Sequence, residues 1–254
     1  MAKGKLTVVG FGPGSLDNMT IRAERAIREA DEVVGYTAYI DMIKDYFDKD
    51  MHFISTGMRK EVDRCKMAVE EAMKGKNVAI VSSGDSGIYG MAGIVYEVAD
   101  EMNADIDIDV VPGMTAASTA ASVLGAPLMH DLAIISLSDL MTPLDQIMKR
   151  VDCAGVGDFV IALYNPKSVK RSEYLGQAAD IIMKYRSPET PVGIVKDAGR
   201  PGEKKQIVTL GTLKDAEVDM FSIVIIGNSK TYVKNGRMIT PRGYKEKGRM
   251  DGVI

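Results

Sequence analysis

Lys5-Leu6-Thr7-Val8-Val9-Gly10-Phe11-Gly12-Pro13-Gly14-Ser15 sets an apolar run of strand length directly against a glycine-rich turn. A near-continuous apolar run suits a strand covered on both faces, as in parallel sheets. A helical periodicity from Thr20 to Ala30 follows, and further apolar runs occur at Asp31 to Tyr36, Asn77 to Ser82 and Ile106 to Val111. A second helix is predicted over Glu61 to Lys74, with Val62, Cys65, Val69, Ala72 and Met73 facing inward and Gly75 as the stop. Strands alternating with helices predict βαβ units.

The pattern restarts after Gly125-Ala126-Pro127, where Pro127 makes a plausible hinge. Strand-like runs appear at Ala133 to Leu137, Phe159 to Leu163, Val192 to Val195, Gln206 to Leu210 and Ser222 to Ile226. A helix is predicted over Ser168 to Tyr185, burying Leu175, Ala178, Ala179, Ile182 and Met183, with Pro188 blocking its continuation. The later strands are separated by short polar stretches, so part of this half should be antiparallel. The expected fold class is α/β with two lobes, residues 1–126 and 127–254, each a mixed, mainly parallel sheet flanked by helices.

The composition narrows the function classes. With 46% hydrophobic and 26% charged residues the chain is that of a globular protein. No run approaches the roughly 18 apolar residues of a membrane span, and Met1 leads straight into a strand pattern, so no membrane association and a cytoplasmic location are expected. A formal net charge of −3 gives no basic footprint for nucleic acid. Cys65 and Cys153 share no metal-ligand spacing and are expected as buried thiols, with no disulfide and no metal site.

Three loops follow predicted strands of the first half. Gly10 to Ser15 resembles a dinucleotide fingerprint, yet Pro13 removes an amide, Ser15 replaces the third glycine, and Asp17 adds negative charge where an anion would sit. Ser82-Ser83-Gly84-Asp85-Ser86-Gly87-Ile88-Tyr89-Gly90 gathers small residues and one carboxylate, and Val111-Pro112-Gly113-Met114-Thr115-Ala116-Ala117-Ser118 leads into an Ala-rich helix with Thr115 at its start. Asp85 could accept from a ribose hydroxyl or an amine, and the small residues let a ligand approach the backbone. Each loop also has a plain reading as a turn or a cap. Loops at strand C-termini that do not suit phosphate point to a nucleoside-like cofactor without phosphates, such as S-adenosylmethionine, whose sulfonium needs carbonyls and carboxylates.

The order and spacing of Gly10-Phe11-Gly12-Pro13-Gly14, Ser83-Gly84-Asp85 with Ile88-Tyr89-Gly90, and Pro112-Gly113-Met114-Thr115-Ala116 resemble the class III, or tetrapyrrole, methyltransferases. Further segments resemble the branch of that family that methylates C17 of a corrin precursor, precorrin-3B or cobalt-factor III, with ring contraction in cobalamin synthesis. They are Gly35-Tyr36 with Tyr39, Thr56 to Glu61, Gly125 to Asp131, Ile135 to Asp139, Leu163-Tyr164-Asn165-Pro166 and Ile239 to Tyr244. Leu132 and Leu144 stand where that branch is expected to be aromatic. The resemblance implies S-adenosylmethionine bound between two lobes, S-adenosylhomocysteine as product, a tetrapyrrole substrate and a homodimer. It implies that Pro13, Gly84, Asp85, Ile88, Tyr89, Thr115 and Ala116 line the cofactor pocket from the first lobe, and Tyr164, Asn165 and Ala198 from the second.

A corrin precursor carries many carboxylates, so Arg59, Lys60, Arg64, Lys167, Lys170, Arg171, Lys196, Arg200 and Arg242 are candidate substrate clamps, with Arg59, Lys60 and Arg242 foremost. For Arg64, Lys170 and Arg171 a place on a solvated helix face is the favoured expectation. Ring contraction needs proton transfer, for which His130, beside Asp131, is the first candidate and Ser138 and Asp139 the next. His52, in an apolar stretch, is expected to be structural. The competing readings are another class III methyltransferase and an NAD-dependent oxidoreductase using the glycine loop.

Overall fold

Leu6, Val8 and Val9 lose all contact with solvent in β1 (Lys5–Gly10), an inner strand of the first unit's sheet. The computed structural model describes residues 3–168 and 171–244. The first unit continues with α1 (Ile21–Arg28), β2 (Glu32–Tyr36), α2 (Thr37–Ile43), β3 (Phe53–Thr56), α3 (Glu61–Met73), β4 (Asn77–Ser82), α4 (Ala92–Glu101) and β5 (Asp107–Val111). Its sheet has the order β3-β2-β4-β1-β5, and every ladder is parallel. Each strand must therefore be reached by a crossover, and the helices cover both faces. Val9, Val33 and Val81 pack with Ala23 and Ile27 of α1 and Ile40 and Ile43 of α2, whereas Leu6, Val8 and Ile80 pack with Cys65, Ala68 and Val69 of α3 and Val95 of α4.

The chain divides into two compact units after Ala116. The second contains most of α5 (Ala116–Leu124), then β6 (Gly125–Ala126), β7 (Leu132–Ser136), α6 (Leu144–Val156), β8 (Val160–Tyr164), α7 (Tyr174–Ile182), β9 (Pro191–Lys196), β10 (Lys204–Thr209), β11 (Ser222–Ile226), β12 (Tyr232–Lys234) and β13 (Arg237–Ile239). The main sheet runs β10-β9-β11-β8-β7; β7 and β8 are parallel and the other ladders antiparallel. This sheet is thus mixed as expected, but with antiparallel pairing dominant, because only short connections join β9, β10 and β11. The sequence expectation puts the boundary after Ala126. The compact units place residues 117–126 in the second instead: Leu124 sits against Gly193 of β9, and β6 pairs with β13.

Several side chains depart from expectation. In α3 the buried stripe is Arg64, Cys65, Ala68, Val69 and Ala72, so Val62 and Met73 fall outside it and are exposed. In α6 the stripe runs through Ile147, Val151 and Ala154, which turns Cys153 to solvent. Cys65 is buried, and burial pushes its thiol up to about 12. His52 is exposed, with Nδ1 3.5 Å from Glu32 at the start of β2. The predicted helix over Ser168 to Tyr185 is observed as Tyr174–Ile182, and Lys170 lies outside the described residues. Among the described residues no helix is long and apolar enough to cross a membrane.

Arg186 follows α7 and is buried. Its guanidinium donates to the carbonyls of Gly227 at 2.5 Å, Phe159 at 2.5 Å and Ala154 at 3.3 Å, and Nε lies 3.5 Å from Asp158. It caps the Gly227 and Phe159 carbonyls just outside β11 and β8 and reaches the helical carbonyl of Ala154. Arg186→Leu should destabilise the protein by about 3 kcal/mol, since it orphans buried acceptors; chemical denaturation checks this, and a change below about 1 kcal/mol would contradict it.

Candidate functional site

Because the first sheet is wholly parallel, β4, β1 and β5 end side by side on one edge, and the three glycine-containing loops leave from there. The loops are tied into one body. Gly12 and Gly84 exchange two backbone hydrogen bonds, 3.0 and 2.8 Å long. Ser86, fully buried, donates from Oγ to the Val111 carbonyl at 3.0 Å. The Asp85 carboxylate accepts from the amides of Gly87 at 2.8 Å and Ile88 at 3.0 Å through Oδ1, and from Gly113 at 3.0 Å through Oδ2.

Asp85, an expected ligand contact, also holds the second and third loops together through its oxygens. Gly113 is obligatory at this junction, because a Cβ there would run into the carbonyl oxygens of Gly84 and Gly10. Gly84 has φ +70 and its Cβ position opens onto unfilled space, so a ligand can approach the backbone there. Tyr89 adopts φ 54 and is exposed, a strained placement of an aromatic at the rim of the loop. Pro13 is buried, Ile88 half-buried, and Thr115 and Ala116 half-buried where the third loop enters α5.

In the second unit, Tyr164 ends β8 and its hydroxyl accepts from the Ala117 amide at 2.9 Å, filling one of the unpaired donors of the first turn of α5. Asn165 follows at φ 50 and donates from Nδ2 to Ser136 Oγ at 3.0 Å. Ala198 lies in the turn after β9, half-buried, next to Asp197 at φ 50.

Two of the catalytic candidates come together. Arg171 donates from one terminal nitrogen to Ser138 Oγ at 2.6 Å and lies 3.5 Å from Asp139, whose other oxygen accepts from the Tyr174 hydroxyl at 2.8 Å. Arg171 is thus not on a merely solvated face, contrary to expectation. The Tyr174 hydroxyl, and after it the Arg171 charge, holds the Asp139 carboxyl below the usual carboxylate range, and the same bond raises Tyr174. At neutral pH Asp139 is therefore an acceptor with no proton to give. His130 is exposed in the bend before β7 and is not part of this cluster.

The substrate clamps differ among themselves. Lys60 forms an exposed ion pair with Asp63 at 2.9 Å. Arg59, at φ 62, and Arg242 are exposed. Ser86, Ser136 and Tyr174 had no role in the sequence reading; Ser86 could have been found from its place between Asp85 and Gly87, the others only from the fold.

The three loops suit a nucleoside without phosphates. They carry no lysine or arginine, Pro13 offers no amide, and Ser82 Oγ at the end of β4 is buried without a partner. An acidic residue at the end of β2, which a nicotinamide dinucleotide would need, is replaced by Gly35-Tyr36.

The model of the Tetrapyrrole (Corrin/Porphyrin) Methylases matches residues 5–214. A probable cobalt-factor III C(17)-methyltransferase of Salmonella typhimurium is 52% identical over 94% of this chain and 99% of its own length. A cobalt-factor III methyltransferase of Priestia megaterium is 47% identical over 96% of the chain and 46% of its own. The crystal structure of the methyltransferase CobJ matches with a TM-score of 0.86 and 34% identity, covering 94% of this chain and all of that one. The chain belongs to the tetrapyrrole methylase family.

Gly113→Ala tests the loop junction. The forced separation of the loops should cost about 1–3 kcal/mol and weaken S-adenosylhomocysteine binding more than about tenfold. Calorimetric titration checks this; undiminished affinity in a folded variant would show that the junction does not support a ligand.

Proposed function

We propose that the protein transfers the methyl group of S-adenosylmethionine to C17 of cobalt-factor III, with contraction of the macrocycle, in cobalamin biosynthesis. The observation that carries this reading is the end-to-end likeness to a C17-methyltransferase at 52% identity. Precorrin-3B, the cobalt-free counterpart, is the second substrate considered. We further propose that the enzyme works in the cytoplasm as a homodimer, which rests on the family resemblance.

S-adenosylmethionine supplies an electrophilic methyl on a sulfonium. The protein has mainly to hold a ring carbon about 3 Å from that methyl on the C–S axis, so positioning dominates. The Gly12–Gly84 bridge, Asp85 and Ser86 keep the first-unit loops rigid, and Pro13, Gly84, Asp85, Ile88, Tyr89, Thr115 and Ala116 are the proposed cofactor contacts. Tyr164, Asn165 and Ala198 are the proposed contacts of the second unit. Arg59, Lys60 and Arg242 take substrate carboxylates in this reading. Ser138 and Asp139, oriented by Arg171 and Tyr174, form a cluster proposed to hold polar groups of the ring by hydrogen bonds during contraction, and His130 is the proposed proton-transfer residue.

Titration with S-adenosylhomocysteine, with NADH as control, tests the cofactor, and turnover of cobalt-factor III against precorrin-3B tests the substrate. Binding of the homocysteine adduct alone and preference for the cobalt-containing ring are expected; binding of NADH alone would overturn the reading. His130→Ala should keep S-adenosylhomocysteine affinity and lose turnover by about 100-fold or more. Undiminished turnover would remove His130 from the mechanism.

A further inference from the structure

Arg64 and Arg186 are the buried arginines of the described residues, 3% and 6% exposed, and they are treated differently. Arg186 spends its donors on backbone carbonyls. Arg64 makes one side-chain hydrogen bond, from Nε to Thr56 Oγ1 at 3.0 Å, and no ion pair among the described residues. Its guanidinium lies over the ring of Tyr36, 5.9 Å from the centroid. Among the described residues the terminal nitrogens have no acceptor, yet they are not sealed off, as Nε of Arg186 is. A guanidinium removed from water with its terminal donors unspent is costly, and an anion relieves that cost.

The position of these donors is informative. Tyr36 ends β2 and Thr56 ends β3, so the open end of Arg64 stands on the sheet edge that also carries the three glycine loops. Aromatic contacts connect the two places: Phe11 after β1 meets Tyr39 edge-on at 5.9 Å, and Tyr39 meets Tyr36 at 5.2 Å. Thr56 is held in turn by Thr37, whose hydroxyl donates to the Thr56 carbonyl at 3.1 Å. Nε and the ring plane are thus both fixed, leaving the outer edge of the fork directed. That edge matches a carboxylate, which an arginine binds through two parallel hydrogen bonds.

We propose that Arg64 is a receptor for one acetate or propionate carboxylate of the tetrapyrrole, oriented by Thr56 and Tyr36 at the β2–β3 end of the sheet. This rests on the reading of the protein as a tetrapyrrole methyltransferase and adds a specificity-determining residue to it. Arg59, in the loop between β3 and α3, is an exposed second cation close in sequence.

Arg64→Gln and Arg64→Lys test the proposal through the KM for cobalt-factor III, the affinity for S-adenosylhomocysteine, and the binding of uroporphyrin III measured by fluorescence quenching. Arg64→Gln should raise the tetrapyrrole KM by about tenfold or more, leave S-adenosylhomocysteine affinity within about twofold, and weaken uroporphyrin binding; Arg64→Lys should recover part of the loss. An unchanged tetrapyrrole KM overturns the proposal. So does a parallel loss of both ligands with a lowered melting temperature and no rescue by lysine, which would make Arg64 a support for Tyr36. If Arg64→Gln does not fold, Thr56→Val decides: it keeps the charge and removes the orienting bond, so the tetrapyrrole KM should rise several-fold, and an unchanged KM overturns the proposal. Wild-type protein that binds uroporphyrin through Arg64 but does not methylate cobalt-factor III would sink the functional reading alone.

Discussion

Backbone amides from two loops converge on the carboxylate of Asp85, and the candidate site depends on that convergence. Loops that leave a sheet edge have no ladder to fix them. Here an ionised acceptor replaces the ladder, with bonds stronger than those of a neutral oxygen. Gly113 can come close enough only because it lacks a side chain, and Gly12 can pair with Gly84 only because both tolerate positive φ. Chemistry and backbone geometry are therefore one constraint: a carboxylate to gather amides, and glycines to let them be gathered.

The second unit meets the same need with hydroxyls and aromatics. Tyr164 fills a vacant amide at the start of α5, Asn165 is tied to Ser136, and Asp139 is shared between Tyr174 and Arg171. Left-handed backbone occurs at Arg59 and Tyr89 of the first unit and at Asn165 and Asp197 of the second, beside candidate residues of each, as well as at Asn103, Asp158 and Asn235 away from them. Such conformations persist only where the surroundings over-determine them. In Asn165 the over-determining contact is visible, the hydrogen bond to Ser136.

The first unit's sheet was legible because β1 and β4 are apolar on both faces and carry the predicted bounds, as does β11 of the second unit. The strand β3 was not, since Phe53 to Thr56 is short and half polar. Antiparallel pairing of β9, β10 and β11 is a tertiary outcome that local pattern only hints at. The loop motifs located the candidate site but not the amide partners of Asp85, because a carboxylate in a loop looks the same whether its partner is a ribose or an amide. Arg64 was misplaced for a related reason: charge at a helical position reads as solvated, and only the stacking on Tyr36 and the bond to Thr56 show it turned inward.

The order β3-β2-β4-β1-β5 also governs how this chain can be made. The partners of β1 are β4 and β5, so this strand cannot complete its pairing until Val111 has been synthesised. Until then an apolar edge of Lys5–Gly10 remains unpaired in the nascent chain, the kind of segment that chaperones shield and that aggregates when left alone. The residues that tie the loops together arrive in the same order, Gly12 first and Gly113 last. The glycine loops therefore cannot lock during synthesis of the early helices; their assembly coincides with closure of the whole parallel sheet.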